Sequence, residues 1–407
     1  MKKVISSEKI PVKLWLDDIE EGALAQAKNL ANLPFAFKHI AIMPDAHQGY
    51  GMPIGGVMAT KGVVVPNAVG VDIGCGMCAV KTSLTELDTD TLKKIMGEIR
   101  KVIPVGFAKH QQQQDEDLMP QGVAQLASVP ALEAGGRRFE SCHPDHIIPK
   151  EYNNALKSLG TLGGGNHFIE IQKGSDGFIW IMIHSGSRNL GFKVAKHYNK
   201  VAQDLNEKWY SNVPEFKGED GLAFLPLDTQ EGKDYLMEMN YCVDFALANR
   251  KLMMDRVTLA ISKELDHNVV FQPMINIAHN YAMMENHFGQ NVMVHRKGAT
   301  LARVGTVGII PGSQGTKSYI VTGKGNRESF ESCSHGAGRK MGRKQAQRTL
   351  SLEEEQKKLE GIVHSVRTEK DLDEAPGSYK DISVVMGNQE DLVDISVELT
   401  PLGVIKG

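Results

Sequence analysis

Apolar residues along this chain follow two patterns, one with helical spacing and one in short continuous runs. Four segments have the helical spacing of three and four residues: 17–33, 83–102, 190–209 and 234–265. Three short apolar runs predict buried strands: 39–43, 178–183 and 291–294. Because helical and strand segments are interspersed, we expect a mixed α/β fold of the α+β class.

Three further segments add detail to this prediction. Segment 53–77 is dense in glycine and β-branched residues, which predicts short strands joined by tight turns where the backbone approaches a partner closely. Segment 108–150 is polar and glutamine-rich, so we expect a variable surface segment there. Ser351 opens a capping-box pattern for a helix running toward Val366, and 382–386 fits a short helix or strand.

The length of 407 residues would allow two or three average domains. Candidate ligands described below span much of the chain, however, so any division would split them. We therefore expect one catalytic domain over 1–407. Hydrophobic residues make up 41% and charged residues 23%, which is typical of a soluble protein with enough apolar material for a core.

Charge and cysteine content limit the partners and the compartment. The formal net charge of −3 excludes a basic field over the whole surface, so a polyanion would need local basic patches. Five cysteines are an odd number, and the first residues lack the apolar core of a signal peptide, which predicts a cytoplasmic protein. No apolar stretch approaches the ~18 residues of a membrane span.

Asp72 and Cys75 lie three residues apart in the sequence GVDIGCGM. The glycines there permit a sharp turn that aims both side chains at one point, as a metal site requires. Taken alone, the pair has a commoner structural interpretation, in which Cys75 is a small buried apolar residue and Asp72 caps a turn.

Three histidines lie at the ends of apolar runs, and each has a polar neighbour. His167 follows Asn166 after three glycines, His184 precedes the sequence SGSR, and His279 precedes Asn280. Thiolate, imidazole and carboxylate groups together suit manganese or zinc, and their wide separation predicts a folded enzyme site rather than a zinc finger. Strand ends are common positions for such sites.

The sequence SCSHGAGRKMGRK places His335 among small residues, directly before the basic positions 339–344. A compact cationic patch can hold phosphates, and an open histidine there could attack the α-phosphorus of a nucleoside triphosphate. The residue types fit a solvated helix start equally well.

Nine sequence segments together resemble those of RtcB-type RNA-splicing ligases. They occur in family order from residue 39 to the C-terminus: PDAHQGYG, VGVDIGCGM, GNHFIEI, HSGSR, AHNYA, RKGA, PGSQGTKSYIV, SCSHGAGR and VIKG. Several are long, specific strings, so the resemblance is far more specific than any single motif above.

The resemblance implies a GTP- and manganese-dependent ligase that joins RNA ending in a 2′,3′-cyclic phosphate or 3′-phosphate to RNA with a 5′-hydroxyl. It implies that Cys75 bridges two Mn²⁺ ions, with Asp72 and His167 completing one site and His184 and His279 the other. By the same resemblance, His335 attacks GTP and carries GMP through a phosphoramidate bond.

The resemblance also carries over nucleotide and RNA contacts. The implied GTP contacts are Asn166, Glu170, Asn280, Ser313, Ser318, Gly336, Ala337, Gly338 and Lys406. Guanine selectivity is expected from Glu170 accepting at N1 and N2 and Lys406 donating to O6. Candidates for RNA contact are Asp45, Arg188, Arg339 and Arg343. The family-based expectation is a monomer acting in tRNA splicing or RNA repair.

Two other functions fit parts of this pattern. A metal-dependent phosphodiesterase or phosphatase acting on RNA ends would use the same ligands but would not require a covalent guanylate on His335. A non-catalytic RNA-binding protein would predict that the ligand residues are dispensable.

Overall fold

The computed structural model describes residues 1–120, 146–211, 213, 218, 220–265 and 268–407. Most of the predicted surface segment 108–150, namely 121–145, lies outside the described residues. Of its described parts, 108–120 contains one short 3₁₀ turn, Glu116–Leu118, and the end of the segment already belongs to a helix that begins at Ile147.

The helices of the described residues fall into long elements and single turns. They are α1 (Glu21–Ala31), α2 (Pro66–Val69), α3 (Thr89–Val102), α4 (Ile147–Ser158), α5 (Leu190–Lys208), α6 (Gln230–Glu264), α7 (Arg343–Thr349), α8 (Leu352–Lys358) and α9 (Ile382–Gly387). Further 3₁₀ turns occur at Arg327–Ser329, Glu369–Glu374 and Pro376–Ser378.

The strands are mostly short, as the glycine-rich sequence predicts. They are β1 (Lys3–Ile5), β2 (Val12–Leu14), β3 (Ala36–His47), β4 (Ile54–Thr60), β5 (Val63–Val64), β6 (Gly76–Lys81), β7 (Phe168–Gly174), β8 (Ile179–Ser185), β9 (Leu225–Pro226), β10 (Ile275–Ala278), β11 (Asn280–His287), β12 (Gln290–Lys297), β13 (Ala299–Leu301), β14 (Val307–Ile310), β15 (Ser318–Gly323), β16 (Ser332–Ser334) and β17 (Val393–Lys406). The predicted mixed α/β class is confirmed.

Element boundaries differ from the predictions where local hydrogen bonds decide them. Helix α3 begins six residues after its predicted start at 83, because the Asp88 side chain caps it by accepting from the backbone N–H of Asp90 and Thr91. Helix α8 is capped by Ser351 as predicted, but it ends at Lys358 rather than near Val366.

Strand β3 continues beyond the predicted apolar run 39–43, through Pro44, as far as His47. Its register with β4 shifts between Ile42 and His47, so Pro44 lies where the regular ladder is interrupted. Proline has no N–H to donate and is tolerated at such an irregularity. The extension carries Asp45, on the same strand, into the interior.

Two large sheets organise the fold. The first has six strands in the order β1-β2-β3-β4-β12-β11, and the second has seven in the order β10-β6-β8-β7-β17-β15-β14. One hydrophobic cluster joins Ala41 and Val57 of the first sheet to Ile310 and Val321 of the second. The two sheets therefore share a core.

Helices cover the outer faces of the sheets. On the first sheet, Ile40 and Ile42 point away from the shared core and pack with Leu30 of α1. On the second, Ile183 of β8 lies in one cluster with Met253 of α6. Three methionines of α6, Met239, Met253 and Met254, are buried and fill space in the core.

In the described part of the chain, none of the helices combines the length and the apolar composition needed to cross a membrane.

Candidate active site

Antiparallel pairing in the second sheet brings four predicted ligands to one edge. They lie at or next to strand ends: Cys75, His167, His184 and His279. Gly76, the first residue of β6, pairs with Ala278 at the end of β10 and with Ser185 at the end of β8. Phe168, the first residue of β7, pairs directly with His184. Because the start of one antiparallel strand lies beside the end of its neighbour, these side chains converge.

Cys75 lies at the centre of this cluster. Its Sγ is 3.5 Å from Nε2 of His167 and 3.3 Å from Nε2 of His184. Asp72 approaches from the preceding turn, with Oδ2 3.7 Å from Nε2 of His167. Two groups of three ligands result, Asp72 with Cys75 and His167, and Cys75 with His184 and His279, each with ligand atoms within 4.8 Å of one another. The groups share the Cys75 sulfur.

Hydrogen bonds fix the orientation of two of the imidazole rings. Nδ1 of His167 lies 2.9 Å from the carbonyl of Leu162, and Nδ1 of His184 lies 3.1 Å from the carbonyl of Asn166. A carbonyl can only accept, so both Nδ1 atoms carry the proton and both Nε2 lone pairs face Cys75. Nδ1 of His279 is buried and has no hydrogen-bond partner among the described residues. This donor set fits divalent metal ions.

Burial controls the protonation of these groups. It lowers the pKa of both His184 and His279 well below the ordinary value, which keeps them neutral. It raises the pKa of the Cys75 thiol well above its usual range, so metal binding would have to release that proton. For Asp72, burial raises the pKa of the carboxyl, but the interaction with the adjacent His167 imidazole outweighs it and the net shift is downward.

Two adjacent residues of α6, Asn249 and Arg250, form hydrogen bonds with the backbone of the segments that carry the candidate ligands. Arg250 is fully buried and donates from Nη1 to the carbonyls of Gly74, at 3.0 Å, and Ser185, at 2.8 Å. The Asn249 Oδ1 atom accepts from the backbone N–H of Gly160 at 2.7 Å. Sequence reasoning assigned this helix no chemistry. No sequence motif surrounds Asn249 and Arg250.

His335 follows β16 and lies next to the ligand cluster. Its ring centroid is 4.7 Å from that of His279. Oδ2 of Asp45 is 2.6 Å from the His335 Nδ1 and 3.1 Å from its backbone nitrogen. The carboxylate therefore accepts the Nδ1 proton and leaves the Nε2 lone pair free. Asp45, a candidate for RNA contact from sequence, is instead completely buried against His335, because β3 continues inward past Pro44.

A cavity of about 730 Å³ joins the ligand cluster to His335. Its lining includes most of the sequence-predicted residues: Asp72, Cys75, Asn166, Glu170, His184, His279, Asn280, Ser313, His335, Gly336, Ala337, Gly338, Arg339, Arg343 and Lys406. Ser318 does not line it. Its buried hydroxyl accepts from the backbone N–H of Gly312 at 3.1 Å and so holds the turn that carries Ser313.

The cavity lining also includes Glu170 and Lys406, which lie on neighbouring strands. The pairing of β7 with β17 sets Glu170 opposite Val404 and Lys406 opposite Phe168. Burial raises the pKa of Glu170 to about 8, although the charge of Lys406 and a hydrogen bond from Gln172 oppose the shift. Burial lowers the pKa of Lys406. The ammonium lies 5.7 Å from the centre of the Phe168 ring.

The predicted basic residues occupy two different places. Arg339 and Arg343 line the cavity, and both form ion pairs with Glu374, at 2.9 and 2.8 Å. Sequence reasoning missed Glu374, which has no recognisable motif around it. Arg188 lies outside the cavity lining and donates from Nη2 to the carbonyl of Gly106 at 3.3 Å.

Paired metal-ligand groups around a shared thiol, beside an oriented histidine, suggest phosphoryl-transfer chemistry rather than a structural metal site. The sequence model of the family described as tRNA-splicing ligase RtcB matches residues 26–407. The chain belongs to the RtcB family. The resemblance inferred from the nine sequence segments is thereby confirmed.

Curated relatives agree with this assignment over at least 95% of their length. The RNA-splicing ligase RtcB of Escherichia coli K12 is 40% identical, over 100% of this chain and 99% of the relative. The tRNA-splicing ligases RtcB of Thermococcus kodakarensis and Pyrobaculum aerophilum are each 32% identical, over 98% of this chain and 95% of the relative.

Proposed function

We propose that this RtcB-family RNA ligase uses GTP and two manganese ions to join RNA ends bearing a 2′,3′-cyclic phosphate or 3′-phosphate to ends bearing a 5′-hydroxyl. The observation that carries the proposal is the position of His335. It lies 4.7 Å, ring to ring, from the candidate metal ligand His279, in the cavity that also contains Glu170 and Lys406.

The candidate metal ligands divide into two sets that share Cys75. Asp72 and His167 with Cys75 would hold one ion, and His184 and His279 with Cys75 would hold the other. Bound there, divalent cations would neutralise phosphate charge and orient the departing pyrophosphate. Thiolate, imidazole and carboxylate suit manganese or zinc, and the family resemblance favours manganese.

His335 acts as the nucleophile in the first step. Its Nε2 lone pair forms a bond to the α-phosphorus of GTP, and the bond from that phosphorus to the pyrophosphate oxygen breaks. Asp45 is a positioning residue. It holds the Nδ1 proton, directs Nε2 toward the cavity and stabilises the positive charge that the ring acquires during attack.

The later steps transfer GMP to RNA and then release it. A cyclic phosphate is first hydrolysed: water adds to the phosphorus, the bond to the 2′-oxygen breaks and that oxygen takes up a proton. The resulting 3′-phosphate has a free oxygen that can accept GMP. That oxygen attacks the GMP phosphorus, the phosphorus–nitrogen bond breaks and His335 recovers its lone pair. The 5′-hydroxyl then attacks the RNA 3′-phosphorus, loses its proton, and GMP departs.

Guanine recognition is assigned to Glu170 and Lys406. An ionised Glu170 accepts from the N1 and N2 donors of guanine, and the Lys406 ammonium donates to O6. Adenine presents an acceptor at N1 and a donor at its 6-amino group, so it would leave both buried charged groups unpaired. Both residues line the cavity, which supports the assignment.

A ligation assay tests the proposal directly. One RNA strand ends in a 3′-phosphate and the other begins with a 5′-hydroxyl, both are labelled at the end away from the junction, and GTP or ATP is supplied with or without Mn²⁺. We expect joining only with GTP and Mn²⁺. Removal of the terminal phosphate without joining, and without need for GTP, would instead support the phosphodiesterase or phosphatase alternative.

Several finer points stay predictions. These are the cytoplasmic location, the monomeric state, the single catalytic domain over 1–407, and the choice between tRNA splicing and RNA repair as the physiological role.

A further inference from the structure

The backbone at 104–106 is anchored to the glycine loop that carries the candidate ligand His167. The N–H of Leu162 donates to the carbonyl of Pro104 at 2.9 Å, and the N–H of Gly106 donates to the carbonyl of Gly163 at 2.8 Å. Arg188 adds a third contact through its guanidinium, which donates to the carbonyl of Gly106. The residue that follows Gly106 is therefore presented from a fixed backbone.

That residue is Phe107, and its ring projects into solvent. It is 104% exposed relative to its reference state, whereas large apolar side chains in a folded protein normally lose most of their exposure. The backbone continues in an ordered course, since the N–H of His110 donates to the carbonyl of Lys157 at 3.0 Å. An exposed ring on an anchored backbone offers its face to a planar ligand such as a nucleic-acid base.

The glycine loop lies between the backbone before Phe107 and the nucleotide cavity. A Cβ at Gly164 would lie 3.6 Å from the Cα of Gly106, and a Cβ at Gly165 would meet the guanidinium of the cavity-lining Arg343. Arg188 lies beside the ligand cluster, since a Cβ at Gly163 would approach both its Nη1, to 2.1 Å, and Nδ1 of His167, to 2.6 Å. Neither Arg188 nor Phe107 lines the cavity.

A series of neighbouring imidazole rings connects His335 to His167. From His335, the ring centroids step 4.7 Å to His279, 5.3 Å to His184 and 5.2 Å to His167. In the joining step the departing GMP occupies the cavity, and an in-line displacement requires the attacking hydroxyl to arrive from the opposite side. Arg188 and Phe107 adjoin the ligand cluster without lining that cavity, as a binding surface for the attacking strand requires.

We propose that Phe107 is a stacking platform for a base near the 5′ end of the RNA strand that carries the 5′-hydroxyl. The inference rests on the proposed ligase function and adds a binding residue to it. Aromatic rings stack with single-stranded bases irrespective of sequence, and nearby cations hold the phosphates. Arg188 and the exposed Lys109 supply such cations.

The test compares wild-type enzyme with Phe107→Ala, Phe107→Tyr and the matched control Tyr210→Ala. Tyr210 is 90% exposed, so its removal deletes an equally exposed ring elsewhere. Stacking contributes a factor of about 5 to 150 in affinity per base. We expect Phe107→Ala to raise the KM for the 5′-hydroxyl strand by a factor in that range, with kcat little changed. Phe107→Tyr should restore the KM and Tyr210→Ala should not alter it.

A second measurement separates stacking from a structural effect. Fluorescence anisotropy gives the affinity of each variant for a 5′-hydroxyl RNA whose first two nucleotides are either intact or abasic. The abasic strand should bind wild type as weakly as Phe107→Ala binds intact RNA, and it should not weaken further in Phe107→Ala. Equal affinity of wild type and Phe107→Ala for intact RNA would overturn the inference.

The outcomes distinguish this inference from the proposed function. If wild-type protein fails to ligate although it binds the 5′-hydroxyl strand through Phe107, the ligase mechanism is wrong and the stacking surface stands. If ligation proceeds and Phe107→Ala changes neither the KM nor the affinity, only the stacking inference is wrong.

Discussion

The protonation state of Glu170 gives a quantitative prediction for guanine binding. Burial raises the pKa of this carboxyl to about 8. The N1–H and N2–H groups of guanine donate, so they need an ionised carboxylate as their acceptor. Below pH 8 most molecules hold a protonated Glu170, and guanine binding must release that proton.

The magnitude follows from the distance between the pKa and the working pH. At pH 7, one unit below the pKa, about one Glu170 carboxyl in ten is ionised, which weakens GMP binding about tenfold, or about 1.4 kcal/mol, relative to its high-pH limit. The affinity for GMP should therefore rise as pH increases from 7 to 8 and become constant above about pH 9. Affinity rises with pH because the ionised carboxylate, which is the form that binds guanine, becomes the major form only above the raised pKa.

Isothermal titration calorimetry of GMP and AMP at pH 7, 8 and 9 tests this. AMP carries the same phosphate, so the effect of phosphate protonation on affinity cancels in the ratio of the two affinities. Titrations in two buffers of different ionisation enthalpy count the protons released, and we expect close to one at pH 7. A ratio that does not change with pH, or a Glu170→Gln variant that retains the pH dependence, would refute the reasoning.

Three further substitutions test a metal ligand, the residue that orients His335, and a buried arginine that holds the ligand-bearing backbone. Cys75→Ala should abolish both metal sites, seen as loss of Co²⁺ binding in calorimetry when Co²⁺ replaces manganese; a retained second site would contradict the shared-sulfur geometry. Asp45→Asn should keep Co²⁺ binding but slow guanylation of His335 by about 10²-fold or more, measured in single turnover. Arg250→Lys should lower Co²⁺ affinity about 10- to 100-fold, while the exposed control Lys251→Ala should not.

Much of the fold could be predicted because its elements have strong local patterns. Segment 190–209 has the apolar spacing of a helix, and α5 covers nearly all of it. The end of β3 could not be predicted in the same way. Pro44 predicts a turn by local rules, but pairing with β4 around an irregularity carries the strand on to His47.

The candidate site shows the same division between local and distant information. His184 could be singled out because it ends an apolar run, which is a feature of local sequence. The partnership of Asp45 with His335 joins residues 290 positions apart, and no local pattern encodes it. Arg250 donates to the carbonyl of Gly74, 176 positions away, and no local pattern encodes that contact either. Supporting contacts depend on the tertiary packing of β3 and α6.

Covalent guanylation of His335 is the central claim, and one measurement tests it most directly. The purified protein and its His335→Ala variant are incubated with α-labelled GTP and Mn²⁺, then separated by denaturing electrophoresis. We predict an acid-labile label on the wild-type protein and none on the variant. Folded, metal-bound wild-type protein that acquires no label, or a variant that acquires label equally, would contradict the mechanism.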